Sequence, residues 1–342
     1  MSRAVSGYRS RKFVTAVLAL VGALLLIVIL MRLTGSDTGD IAVILHRLPL
    51  WSWVAVAIGH GLMVVLAATR WRLVIAATAP SQPKLKYGPA ISSTALGTLA
   101  GQVLPIQLVT PVIRAWVAKR EAIASSVALG TSALEQTFDI IALLAASAVG
   151  ALLLSFAGPV PISLLSMIVA TLALLAVLSL ALRWICRFLA WATQLLAGLI
   201  SALSGALGVL TRGFHAAASL GDMTLFLVTA LSAIRYITVA ALNIGILHLA
   251  FPETSISALI LAAPVALLLG AIPIFPAGLG VIEMTWSGAL VLAGVEPAEA
   301  LSGALALRVV STLGYLAIVP ILLAPLVELL APVDDKGEPT SE

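Results

Sequence analysis

The stretch Gly270–Glu283, GAIPIFPAGLGVIE, decides how the rest of the chain is read. It lies inside apolar sequence that hydropathy alone would assign to one helix. Pro273 and Pro276, followed by Gly278 and Gly280, oppose that assignment. Proline removes a backbone donor and clashes with the preceding turn, and glycine weakens a helix interior. In hydrocarbon each freed backbone group needs a partner, so broken helix survives only inside protein or beside a water-filled cavity. Glu283 sets a carboxylate directly after the break. A broken apolar segment with a charge beside it is the pattern of a transporter's central site. A proline-kinked helix with Glu283 at the interface is the plainer alternative.

Composition places the chain in a membrane. Hydrophobic residues make up 61% and charged residues 10%, with a mean hydropathy of +1.15. Several apolar runs reach ~20 residues, enough to cross a hydrocarbon core of ~30 Å. The formal charge of +4 is scattered over short loops, which is no nucleic-acid footprint. The single cysteine, Cys186, excludes an internal disulfide and a cysteine metal cluster. It reads as a small apolar residue near a helix end.

Arg3, Arg9, Arg11 and Lys12 precede an apolar run from Phe13 to Met31, read as an uncleaved first span with its N-terminus in the cytoplasm. The loop Thr34–Leu50 is expected outside, and Trp51 and Trp53 mark the start of a second span. That span is expected to emerge at Arg70, Trp71 and Arg72 into a cytoplasmic loop with Lys84 and Lys86. His60 lies mid-span, where a helix–helix hydrogen bond is the expectation and a proton relay the other account. Gly88–Leu104 is too short to cross and ends at Pro105 in GQVLPIQLVTP, with Pro111, Arg114, Lys119 and Arg120 beyond. Basic residues at both ends predict a re-entrant hairpin. A span over about 122–155 then carries Glu135 and Asp139 on one helix face.

FAGPVP at 156–161 reads as an outer turn, Ile162–Leu182 as a span, and 188–210 as a helix on the cytoplasmic surface. Asp222 reads as an N-cap. Met223–Ala250 then crosses outward with Arg235 near its middle. Ser257–Gly294 forms a second hairpin, broken at Pro273, Pro276, Gly278 and Gly280. Ala298–Glu328 crosses inward, bearing Arg308. The fold expected is an all-α polytopic membrane protein with about six full spans plus two re-entrant helical hairpins, arranged as an inverted repeat. Its parts are an anchor span and outer loop (1–49), a first repeat (50–155), a linking span and surface helix (156–221), a second repeat (222–328) and a disordered cytoplasmic tail (329–342).

The repeat can be read in the residues. LAATRWRLVIAA from Leu66 and LSAIRYITVAAL from Leu231 place Arg70–Trp71 and Arg235–Tyr236 at one offset. LPIQ and IPIF then align Pro105 with Pro273. Arg114 and Glu283 follow those prolines, and Glu135 and Arg308 come next, so the charges at these two places are exchanged between halves. Such repeats with paired broken segments build a midplane site and permit alternating access. Arg114, Glu135, Asp139, Arg235, Glu283 and Arg308 are the candidate substrate-binding residues. Each charge left alone at mid-bilayer costs ~2.5–3.5 kcal/mol, so they should converge in a polar cavity; buried ion pairs that only lock helices are the other account. Arginine suits an anion, since its fork can hold a phosphate through two hydrogen bonds.

PIFPAGLGVIE with Arg308 after it resembles the lysylphosphatidylglycerol synthase transmembrane-region family. The earlier Arg70–Trp71, the LAGQVLP stretch with Arg114, and LEQTFD are similar to that family's N-terminal half, so the resemblance covers roughly residues 50–325. It implies an integral membrane protein that moves lipids or lipid-linked glycosyl carriers between leaflets, without implying lysine transfer. Two departures stand out. PIQLVTPVIR lacks the Gly and Asp usual in the family's first break, and Glu135–Gln136 stands where a Glu–Arg pair is usual.

Three functions stay open. The first is a flippase or scramblase for a phospholipid or a lipid-linked polyprenyl or glycosyl carrier. The second is a secondary transporter of a small solute; the third is a non-catalytic scaffold for a lipid-modifying or glycosyl-transfer enzyme. No nucleophile–base pair, zinc-protease motif or phosphate-cradling loop is present in the sequence, so enzyme activity, a cofactor and a metal are not expected. The expected partner is membrane lipid, with a homo-oligomer or an associated enzyme compatible and nucleic acid excluded. The expected location is a bacterial-type inner membrane, with both termini cytoplasmic.

Overall fold

A computed structural model describes residues 37–102, 104–156, 164–199, 218–271 and 278–330, with positions 28, 31–32, 207–208, 211–212 and 214–215. Most of the expected first span, the turn at 157–161, Pro273, Pro276 and the tail from Pro332 lie outside the described residues.

Among the described residues ten helices carry the fold: α1 (Thr38–Arg47), α2 (Leu50–Thr78), α3 (Tyr87–Ala100), α4 (Ile106–Arg120), α5 (Ser125–Phe156), α6 (Leu164–Leu199), α7 (Asp222–Ala250), α8 (Ile256–Ala271), α9 (Val281–Leu292) and α10 (Pro297–Leu330). Among the described residues, α2, α5, α7 and α10 contain stretches long and apolar enough to cross a bilayer. The chain is therefore an all-helical polytopic membrane protein.

The order long, short, short, long occurs twice, as α2–α5 and as α7–α10. The short helices have 14, 15, 16 and 12 residues. At ~1.5 Å per residue they reach ~18–24 Å, less than the ~30 Å hydrocarbon core. Helix α2 packs along α7 and joins the two units. Helix α10 lies against α3 and α5 lies against α8, so the last helix of each unit covers the first short helix of the other.

Apolar burial gives helices in lipid little drive, so close contact between small residues matters more. Ala68, Ala90, Ala118 and Ala128 are fully buried around Trp71 in the first unit. Ala263, Ala266, Ala300, Ala304 and Ala306 play that part around Trp286 in the second. Each short pair closes on a glycine. A Cβ at Gly97 would meet the Thr110 Cα at 3.1 Å, and one at Gly278 would meet the Gly270 Cα at 3.1 Å. Gly278 and Gly280 also have φ of +66° and +82°, backbone that side-chain-bearing residues rarely adopt.

Several expectations are corrected. The loop before Trp51 contains helix α1, because Asp37 and Asp40 form a reciprocal cap at its N-terminus. Residues Arg183 and Arg187 do not end a helix. Helix α6 runs through them, with Arg183 donating to the Leu220 carbonyl and to Asp222 at 2.7 Å and Arg187 stacked on Trp184. Cys186 is accordingly mid-helix and buried against Leu134 and Phe138. Gly221 is the N-cap of α7, and Asp222 is its first residue.

Pro111 is not a hairpin break; the break falls at 101–105, and Pro111 lies inside α4. Its missing N–H would have bonded the carbonyl four residues back, that of Gln107. Gln136 Nε2 donates to that carbonyl instead, at 2.9 Å. The substitute donor lets the helix pass through the proline.

Candidate functional site

Helix α2 delivers Arg70 and α5 delivers Glu135 and Asp139, one turn apart, to the same depth of the bundle. Arg70 Nε donates to Glu135 Oε1 at 3.0 Å, and its Nη2 donates to Asp139 Oδ2 at 3.0 Å. Its Nη1 reaches Asp139 Oδ1 and the Ser232 hydroxyl of α7. Arg70 thus spends its whole fork on two carboxylates and one hydroxyl.

Arg114 enters from α4. Its Nη1 donates to Glu135 Oε2, its Nη2 to Thr94 Oγ1 at 3.1 Å, and its guanidinium lies over the Trp71 ring at 4.7 Å. Trp71 is held in turn by an Nε1 bond to Thr131 Oγ1 at 3.1 Å. Arg235 comes from α7, where Nη2 donates to Asp139 Oδ2 and to the Tyr236 hydroxyl, both at 3.0 Å. Each carboxylate therefore bridges two arginines. Isolated charges at this depth would be costly, and this lattice of pairs removes most of that cost.

The five charged groups line one cavity of about 340 Å³, within the range of small-ligand sites. Three cations against two anions leave one positive charge in excess among the described lining residues. Polar groups such as Thr98, Gln107, Gln136 and His60 share the wall with apolar Val64, Leu143, Val239 and Leu267. In that wall Arg114 Nε and the hydroxyls of Thr110 and Ser132 have no hydrogen-bond partner among the described residues. Gln107 Nε2 crosses to the Ala271 carbonyl at the end of α8, at 2.6 Å, and so ties the first short pair to the second.

Glu283 and Arg308 meet each other but do not line this cavity. Arg308 Nε donates to Glu283 Oε1 at 2.6 Å, and Gly280 N–H donates to Glu283 Oε2 at 2.7 Å. Glu283 is 1% exposed and closes the N-terminus of α9 from one side only, since its carboxylate accepts from the Gly280 N–H and glycine has no side chain to reciprocate. Of the six residues expected to converge, four do so and two form a separate pair.

Arg70 was missed by reasoning from sequence, which assigned it to a cytoplasmic loop. It is 3% exposed and sits at the centre of the cluster. Its matched offset with Arg235 was the available signal. His60 also differs from expectation, since its Nδ1 bonds within its own helix, to the Val56 carbonyl at 2.8 Å. Pro105 caps α4 at the first break, while Gly278 and Gly280 form the turn before α9.

The lysylphosphatidylglycerol synthase TM region, as a family, matches residues 14–318 of the chain. No curated protein and no solved structure matches it.

Proposed function

From the premise that the chain belongs to the lysylphosphatidylglycerol synthase TM region family, we propose that it carries a phospholipid or a lipid-linked polyprenyl or glycosyl carrier between leaflets. The observation that carries this reading is the cavity between the two units, walled by Arg70, Arg114 and Arg235 with one cation in excess. A headgroup phosphate is the ligand such a wall suits. The role is transport, not catalysis, and the working partner is the lipid itself.

On this reading the two units are inverted relative to one another, and each short pair is re-entrant. With the first span over 13–31 and α6 added to the four apolar helices, six helices cross a bacterial-type inner membrane and both termini are cytoplasmic. Alternating access follows from the two units exchanging roles about the cavity. The seam between α5 and α7 is the lateral route for acyl chains. These helices share the Arg235–Asp139 pair and make little backbone contact among the described residues.

Reconstitution into vesicles with a labelled lipid confined to one leaflet tests the reading. Wild-type protein should equilibrate the label across the bilayer, and Arg114→Lys should slow it severely while remaining folded, since lysine keeps the charge and loses the planar fork. Equal rates in protein-free vesicles and in vesicles with wild-type protein would sink the proposal for the lipid tested.

A further inference from the structure

Resting on the anionic-ligand reading above, we infer that His60 is a proton-binding residue of the cavity, and that its protonation tightens the hold on an anionic ligand. His60 lines the same cavity as the five charged groups. Its Nδ1 faces the Val56 carbonyl at 2.8 Å. A carbonyl only accepts, so Nδ1 carries a hydrogen and the neutral ring keeps its lone pair on Nε2. No group among the described residues hydrogen-bonds Nε2. The ring rests at a tilt against Tyr315, with centroids 5.8 Å apart. The tautomer is fixed, and the basic nitrogen is left for a proton.

The other charged or titratable groups lining the cavity are Arg70 on α2, Arg114 on α4, Glu135 and Asp139 on α5, Arg235 and Tyr236 on α7, and Tyr315 on α10. Helices α3, α8 and α9 contribute only groups that do not ionise, such as Thr94, Leu267 and Ile282. The arginines keep their charge at any physiological pH, and both carboxylates are committed to arginine pairs. Tyrosine ordinarily titrates near ~10, whereas histidine titrates near ~6.5. Histidine is therefore the side chain whose chemistry lets this cavity respond to pH.

The sign follows from charge. Neutral His60 leaves the cavity with one excess cation, and protonated His60 leaves it with two. His60 precedes Arg70 by ten positions on one helix, ~15 Å of rise. A unit charge across ~15 Å at an effective dielectric of ~20 changes anion affinity roughly sixfold. By linkage the bound anion raises the proton affinity of His60 by the same factor. An anion would then be held on the acidic side of the membrane and released where the proton leaves.

The test uses the full chain in detergent and glycerophosphoglycerol, a phosphodiester whose single charge does not change over the range examined. Calorimetry at about pH 5.5 and about pH 7.5 should show wild-type binding severalfold tighter in acid, with roughly sixfold as the limit reached at full protonation. His60→Gln should bind with the weaker affinity at both. Wild-type binding without pH dependence, or pH dependence kept in His60→Gln, would overturn the inference and leave the anionic site standing. No wild-type binding at either pH would overturn the anionic site and the inference with it. If His60→Gln does not fold, a protein with His46, His215 and His248 replaced by Gln isolates the His60 imidazole for NMR. Its titration midpoint should rise when the phosphodiester is added, and a resonance that fails to titrate, or a midpoint that stays put, would be decisive against the proposal.

Discussion

Arg70 and Arg235, from the matched Arg–aromatic pairs of the two units, both donate to one carboxylate oxygen, Oδ2 of Asp139, at 3.0 Å each. That oxygen is the point where the first unit's charges meet the second's. Arg70 belongs with Glu135 and Arg114 in the first unit, and Arg235 is the second unit's contribution to the cavity. A change in the relation between the units has to stretch or break the Arg235 arm before any other ion pair of the cluster.

Asp139→Asn should consequently cost much of the protein's stability, since removing one partner of a buried ion cluster costs ~3–5 kcal/mol. Thermal unfolding in detergent should show a clear fall. The double variant Asp139→Asn with Arg235→Gln should lose less than the two single losses summed, by at least ~1 kcal/mol, because the orphaned guanidinium is removed with its partner. Additive losses would mean that the Arg235 arm is idle.

Glu283 and Arg308 mirror Glu135 and Arg114 with the signs exchanged, yet they lie outside the cavity. Glu283→Gln should lower stability, because it strips Arg308 of its countercharge and weakens the cap on Gly280. Its affinity for a soluble phosphodiester should stay within about twofold of wild type, since no charge lining the cavity has changed. A large loss of affinity at unchanged stability would place Glu283 in the binding site after all.

The two hairpins were legible in the sequence because proline and glycine punctuate apolar runs in a way that helix cannot absorb, and Gly278 and Gly280 do sit at a turn with positive φ. The pairing of Arg114 with Glu135 and of Glu283 with Arg308 follows the exchanged charges read from the repeat. Arg70 was hidden by a competing rule: near Arg72, Lys84 and Lys86 it reads as one more cytoplasmic charge. The continuity of α6 was hidden similarly, because Arg183 finds Asp222 and the Leu220 carbonyl, partners distant in sequence. Pro111 misled because only folding brings Gln136 to the carbonyl that Pro111 frees.

Opposite orientation of the two units has a direct chemical test. Lys84 follows the first long helix of one unit and Glu253 follows that of the other, and both are exposed. In a Cys186→Ala background, Glu253→Cys should react with an impermeant maleimide from outside the cell. Lys84→Cys should react only after permeabilisation. Reaction of both from one side would mean that the units run parallel, and alternating access by exchange of roles would fall with the inversion.

The last prediction concerns the chain of hydrogen bonds donated by Gln136 Nε2 to the Gln107 carbonyl and by Gln107 Nε2 to the Ala271 carbonyl. Pro111 cannot bond back to the Gln107 carbonyl, so that oxygen depends on Gln136. Gln136→Leu should leave it unsatisfied, at ~1–3 kcal/mol. Pro111→Ala restores a backbone N–H at the right place in α4. In the Gln136→Leu background it should recover most of the lost stability, although in the wild type it should gain little, since the carbonyl is already satisfied there. This non-additivity is specific to a substituted backbone bond and is read from the two unfolding differences. Equal effects of Pro111→Ala in both backgrounds would show that Gln136 contributes packing alone, and that α4 tolerates its proline for some other reason.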